Sequence, residues 1–179
     1  MALLTFASCS LNMIRAIGVD PGSRFTGFGI IDGDGYRLKH VHHGTIRLPA
    51  ARPLAERLKV LYEELNAAIR EYAPQCMAVE EVFFAKNVKS ALSLGQARGA
   101  VLLAGISAGL TIHEYSALRI KQAVAGYGRA GKDQVAGMIR SLFRLDGPLE
   151  PDASDALAVA VCHLNTSSSN ARWKIPERP

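Results

Sequence analysis

Three stretches near the start of the chain have the apolar pattern of strands. Ile14–Asp20, Phe25–Asp32 and Tyr36–Arg47 are separated by Pro21-Gly22-Ser23 and by Asp32-Gly33-Asp34-Gly35, both rich in turn formers. Links this short join antiparallel neighbours, so the three predict a meander. The period then changes. From Pro53 to about Tyr72, the residues Leu54, Leu58, Leu61, Leu65 and Ile69 recur at three- and four-residue spacing in a charged segment, which predicts a helix with one apolar stripe. Cys76–Val79 is a short apolar run, a buried strand consistent with a parallel crossover. Asn87 to about Gly109 is a long helix apolar on more than one face. Either it is deeply buried, or one face packs on the sheet and another on a second subunit. Thr111–Glu114 is the last strand. A basic segment Ser116–Ala125, a loop Gly126–Gly131 and helices over Lys132–Phe143 and Asp152–Leu164 complete the order. The expectation is an α/β fold with a mixed five-stranded sheet, three antiparallel strands then two parallel, and helices on both faces.

Composition changes this picture little. With 179 residues, 49% of them hydrophobic, the chain suits one domain and not a disordered polymer. Residues 1–12 do not fit the pattern that follows. They read as an extension expected to be disordered, with Met13 as a second candidate initiator; the domain spans 13–166. Ser167-Ser168-Ser169-Asn170 opens a polar tail, 167–179, also expected to be disordered. Cys9, Cys76 and Cys162 form no CxxC pair, which argues against a disulfide framework and a structural zinc site. No apolar run approaches the roughly 18 residues of a membrane span. The opening residues lack the basic region of a signal peptide. A cytoplasmic protein with no membrane association is expected.

Charge placement says more than its total. Between Ser116 and Leu145 stand Arg119, Lys121, Arg129, Lys132, Arg140 and Arg144 against Asp133 alone, so these thirty residues carry a charge equal to the +5 of the whole chain. Such a cluster suits a polyanion, although a solvated face gives the same pattern.

Four acids stand where acids are costly unless used. Asp20 ends the first strand, Glu80 ends the fourth, and Asp152 and Asp155 lie three apart at the start of the last helix, on one face. If the first and fourth strands are neighbours, Asp20 and Glu80 meet at the sheet edge and the helix brings the other two over them. Four ionised carboxylates in one cleft repel, and divalent cations relieve that. Oxygen-only ligation favours Mg²⁺ or Mn²⁺, and two such ions about 4 Å apart suit phosphodiester hydrolysis. Each acid has a plainer reading. Asp20 could start a turn, Glu80 could be an ordinary strand-end acid, Asp152 an N-cap and Asp155 a first-turn acid favoured by the helix dipole. Glu81 would point to the other face from Glu80.

The segments around these acids are familiar. Ile17-Gly18-Val19-Asp20-Pro21-Gly22-Ser23-Arg24-Phe25-Thr26-Gly27-Phe28-Gly29 resembles the opening of the RuvC Holliday junction resolvases. Val79-Glu80-Glu81-Val82-Phe83-Phe84-Ala85-Lys86-Asn87 followed by Ala91-Leu92-Ser93-Leu94-Gly95-Gln96-Ala97-Arg98-Gly99 is similar to that family's second signature, and Asp152-Ala153-Ser154-Asp155-Ala156-Leu157-Ala158 to its third. The similarity runs from about Met13 to Leu164 with the motifs in order; only the first twelve residues and the tail depart from it. The resemblance implies a ribonuclease H-like fold, a homodimer, and symmetric paired nicking of four-way DNA junctions in recombination and repair, leaving 5′-phosphate and 3′-hydroxyl ends. It implies Mg²⁺, with Mn²⁺ as substitute and up to two ions per subunit, and RuvA and RuvB as partners. Carried over by motif, Asp20, Glu80, Asp152 and Asp155 become the metal-binding catalytic acids. Phe83 becomes a residue that stacks on unpaired bases, although a core role and the neighbouring Phe84 compete for that reading. Lys121 and Lys132 match basic positions near the scissile phosphate, and Arg119 and Arg129 are further candidates for phosphate contacts.

Three other readings remain at this point. Asp-Pro-Gly-Ser-x-x-Thr-Gly also looks like the phosphate-binding hairpin of actin-like ATPases and sugar kinases, which need two such lobes. A junction binder without chemistry would not need all four acids, and a structural dimer would not explain the basic segment.

Overall fold

The computed structural model describes residues 13–34, 36–81 and 88–172, the last five by backbone alone. Five strands, β1 (Ile14–Asp20), β2 (Phe25–Gly33), β3 (Leu38–Arg47), β4 (Cys76–Glu80) and β5 (Thr111–Tyr115), form one sheet in the order β3-β2-β1-β4-β5. β1, β2 and β3 are an antiparallel meander, while β4 and β5 add in parallel beside β1. This is the mixed sheet expected. β3 starts at Leu38 and not at Tyr36, because the Asp34 carboxylate accepts the backbone N–H groups of Tyr36 and Arg37 and holds them in a turn.

The helices α1 (Leu54–Tyr72) and α2 (Val88–Ser107) cover one face, and α3 (Ala117–Ala125), α4 (Lys132–Phe143) and α5 (Pro151–Arg172) cover the other. Alternation along the strands feeds both cores. Ile17, Val19, Met77 and Val79 join Leu61, Leu65 and Val101 on the first face; Ala16 and Ala78 join Leu157, Ala160 and Val161 on the second.

α5 runs past Leu164 to Arg172, so the start of the expected polar tail is helical. Once a helix is nucleated, each added residue gains a hydrogen bond for little further ordering. Ser167 also turns its hydroxyl back to the His163 carbonyl at 2.7 Å, which spends its polarity locally.

The contact between α5 and the sheet depends on residues without side chains. A Cβ on Gly18 would lie 2.2 Å from the Ala156 carbonyl oxygen, and one on Gly27 would lie 1.8 Å from that of Asp152. The helix backbone therefore rests directly on β1 and β2, and its first turn is held at the sheet end where β1 finishes.

Farther along α5, His163 is only 5% exposed and sits on β4 and β5. Its Nδ1 is 2.9 Å from the Tyr115 hydroxyl and its Nε2 is 3.2 Å from the Cys76 thiol; its ring lies against His113. Burial, then the neighbouring His113, pushes its pKa down to about 4. The folded chain keeps His163 neutral while the unfolded chain takes up a proton below about 6.5, so stability is present above that pH and is lost as pH falls toward 4. Urea unfolding should show a loss of about 2 kcal/mol between pH 7 and 5 from this group, and the slope should flatten in His163→Asn.

Candidate active site

Asp20 and Glu80 come together because β1 and β4 are parallel neighbours, with Val19 beside Val79 one residue earlier. Since Val19 and Val79 face α1 and α2, the next residues on each strand face α5. There the start of α5 supplies Asp152 in its first turn and Asp155 in the next. Pro151 is the first residue of α5, so Asp152 lies inside the first turn and is not the N-cap; its carboxylate gains from the helix dipole.

α4 and α3 contribute the cations. Lys132, the first residue of α4, places Nζ 3.0 Å from Asp155 Oδ2. Lys121 of α3 lines the same cleft, a cavity of about 160 Å³ bounded also by Glu80, Asp155, Ile120 and Val135. Arg119 lies elsewhere, its guanidinium 5.7 Å from the centre of the Tyr115 ring. Arg129 is exposed in the loop between α3 and α4. Phe83 and Phe84 fall outside the described residues.

The electrostatics of the cleft are dominated by Asp20. Burial foremost, then Glu80 and Asp155, raise its pKa to about 7, with Lys132 opposing. Glu80 is raised as well, by burial and then Asp155, against Lys132 and Lys121. The Lys132 ammonium is held charged above its ordinary range, chiefly by its hydrogen bond to Asp155. The cleft thus carries more negative charge than two lysines offset.

Among the described residues no three His, Cys, Asp or Glu side chains form a ready-made ligand set. The acids neighbour one another at the sheet end without converging on a point, and Lys132 engages one of them. Their chemistry nevertheless fits a hard divalent cation. All donors are carboxylate oxygens, and the excess charge that raises Asp20 is the kind a cation removes.

Two polar side chains that the sequence did not single out reach the turn after Asp20. Thr26, wholly buried, bonds Gly22, and Arg57 of α1 donates to the Ser23 carbonyl. A signal for Arg57 did exist: it stands four residues before Leu61, in register with the apolar stripe, where a cation is out of place.

A five-stranded mixed sheet with helices on both faces and carboxylates at the ends of adjacent central strands defines the ribonuclease H-like class. Comparison with known proteins narrows this. The family model for "Crossover junction endodeoxyribonuclease RuvC" matches residues 16–163. A protein of that name from Geobacter sulfurreducens is 55% identical over 154 residues, 86% of this chain and 94% of that one. The structure of T. thermophilus RuvC in complex with Holliday junction substrate superposes with a TM-score of 0.83 at 31% identity, covering 88% of this chain and 96% of the other. The yeast mitochondrial Holliday junction resolvase shares the fold, with a TM-score of 0.69 at 9% identity over 90% and 82% of the two chains. The chain belongs to the RuvC family of crossover junction endodeoxyribonucleases. No helix among the described residues is long and apolar enough to cross a membrane.

Proposed function

We propose that this protein resolves Holliday junctions by symmetric paired phosphodiester hydrolysis, with Asp20, Glu80, Asp152 and Asp155 as its metal-binding catalytic acids. The observation that carries this is the meeting of four carboxylates and two lysines at one sheet end in a RuvC-family chain. The four acids would hold Mg²⁺, with Mn²⁺ able to substitute and up to two ions per subunit. When bound, such ions lower the pKa of water and stabilise a leaving oxygen. Asp20, with its raised pKa, is the acid whose ionisation most needs that charge. Lys132 neutralises Asp155 and stands ready to shift toward a backbone phosphate, while Lys121 supplies a second positive charge to the same cleft. Phe83, three residues beyond Glu80 in the sequence, is assigned to base stacking; Arg119 and Arg129 are assigned to phosphate contacts farther along the DNA.

The working unit is a cytoplasmic homodimer of the nuclease domain 13–166, acting with RuvA and RuvB. A four-way junction has two strands to cut, and a two-fold axis presents one site to each. α2 offers the surface: Val88, Leu92, Leu103 and Ile106 are exposed on one side of the helix, with Gly95 and Gly99 open between them. Sedimentation should report a dimer for the wild type and a monomer for Leu103→Glu, because burying an unpaired charge in such an interface is costly.

The decisive test is cleavage of an end-labelled synthetic four-way junction with Mg²⁺ and with EDTA. Symmetric, ligatable nicks that vanish in EDTA support the proposal. Tight binding with no cleavage in Mg²⁺ or Mn²⁺ would leave a binder without chemistry.

A further inference from the structure

We propose that Thr26 and Arg57 are positioning residues that clamp the Pro21-Gly22-Ser23 turn and so hold the Asp20 carboxylate in place, an inference that rests on the reading of Asp20 as a cation ligand. Asp20 is the last residue of β1 and pairs with Gly27 of β2, and residues 21–24 form the link between the two strands. Thr26 lies next to that pair. Its Oγ1 is 3.2 Å from both the Gly22 nitrogen and the Gly22 carbonyl oxygen; the hydroxyl accepts from the first and donates to the second. One side chain thus closes both backbone groups of the turn residue. The turn is tight as well, since a Cβ on Gly22 would lie 1.9 Å from the Phe25 carbonyl oxygen.

Arg57 reaches the next residue from α1, on the far side of the sheet from α5, and its Nη2 donates to the Ser23 carbonyl. Its Nε is buried with no hydrogen-bond partner among the described residues. An unpaired buried donor costs stability. Such a cost is tolerated where another contact of the same group is required, and here the other contact is to the loop behind Asp20.

The clamp has a physical task. Like charges on Glu80, Asp155 and Asp152 push against Asp20, and the end of a strand followed by an unbraced four-residue link would give way. Fixing Gly22 from β2 and Ser23 from α1 resists that push and keeps the carboxylate where a cation can be shared.

The test uses the full chain, a four-way junction and Mg²⁺. Removing a partner that orients a metal ligand commonly costs about 10–100-fold in activity or metal affinity. Single-turnover cleavage by Thr26→Val and by Arg57→Met should fall by that factor, and half-maximal cleavage should need more Mg²⁺. Junction affinity should stay at the wild-type level, and the thermal midpoint should fall only by the few degrees that the lost hydrogen bonds cost. Thr26→Ser, which keeps the hydroxyl, should restore cleavage. Independently of activity, the Gly22 amide should exchange with solvent faster in Thr26→Val by NMR.

Wild-type cleavage by either variant overturns the proposal. So does a rate loss matched by an equal loss of junction affinity or midpoint, or an unchanged Gly22 exchange rate. If Thr26→Val does not fold, Arg57→Met decides alone. A wild type that cuts no junction in Mg²⁺ defeats the nuclease reading, and the inference falls with it. An active wild type with fully active variants defeats this inference alone.

Discussion

Asp20→Asn should lose junction cleavage, keep junction binding, and unfold at a higher temperature than the wild type. Removing one preorganised electrostatic element from a water-excluded site typically costs about 10²–10³ in rate, and loss of a carboxylate ligand is expected to cost at least that. Binding is preserved because the substitution removes none of the cations proposed to contact the DNA. The stability gain follows from the raised pKa. Asp20 titrates near 7 in the folded chain against an ordinary value of 3.8, so the folded state binds the extra proton across that interval. Stability therefore falls as pH rises from about 4 to 7. An uncharged Asn removes that penalty, on the order of 2–4 kcal/mol in metal-free protein at pH 8. Adding Mg²⁺ should stabilise the wild type and leave Asp20→Asn nearly unmoved. The same shift sets the pH profile: cleavage at low Mg²⁺ should rise through about pH 7, and saturating Mg²⁺ should move that midpoint down because the cation competes with the proton. A variant that cleaves at the wild-type rate, or that melts lower than the wild type in EDTA at pH 8, would contradict this account.

Gly18→Ala should be among the most destabilising single methyls in the domain. The new Cβ would meet the Ala156 carbonyl oxygen at 2.2 Å and the Ala160 nitrogen at 2.6 Å. Both belong to the α5 backbone, which cannot rotate away as a side chain does. Overpacking usually costs about 1–3 kcal/mol, and a clash with helix backbone belongs at or beyond the top of that range. The damage extends to function. Lifting α5 from β1 moves Asp152 and Asp155 away from Asp20 and Glu80, so cleavage should fall further than the loss of folded protein explains. Chemical denaturation and cleavage of the same sample would separate the two effects. Gly137→Ala, on α4 with open space around it, is the control and should be neutral or slightly stabilising through helix propensity.

Much of this could be read along the chain because it is local. The meander follows from two turn-rich links between apolar runs, and α1 from a stripe of leucines; β1, α1 and α4 end within a residue of where the pattern places them. Each of the four acids was recognisable as an acid at the end of a strand or the start of a helix, positions fixed by nearby residues. The motifs around them were specific enough to resemble one family.

What lay beyond the sequence was non-local. The β1–β4 adjacency that joins Asp20 to Glu80 spans a crossover through β2, β3 and α1, and no residue near either acid announces it. The role of Gly18 and Gly27 as a seat for α5 depends on a helix that begins more than a hundred residues later in the sequence. Thr26 and Arg57 look ordinary until the loop they hold is folded between them. Lys132 became the partner of Asp155 by the way α4 packs on α5. Periodicity and turn chemistry act over a few residues and so settle the elements and their candidate acids. Charge coupling, backbone-to-backbone contact and the raised pKa of Asp20 act through space, and only the packed tertiary structure decides them.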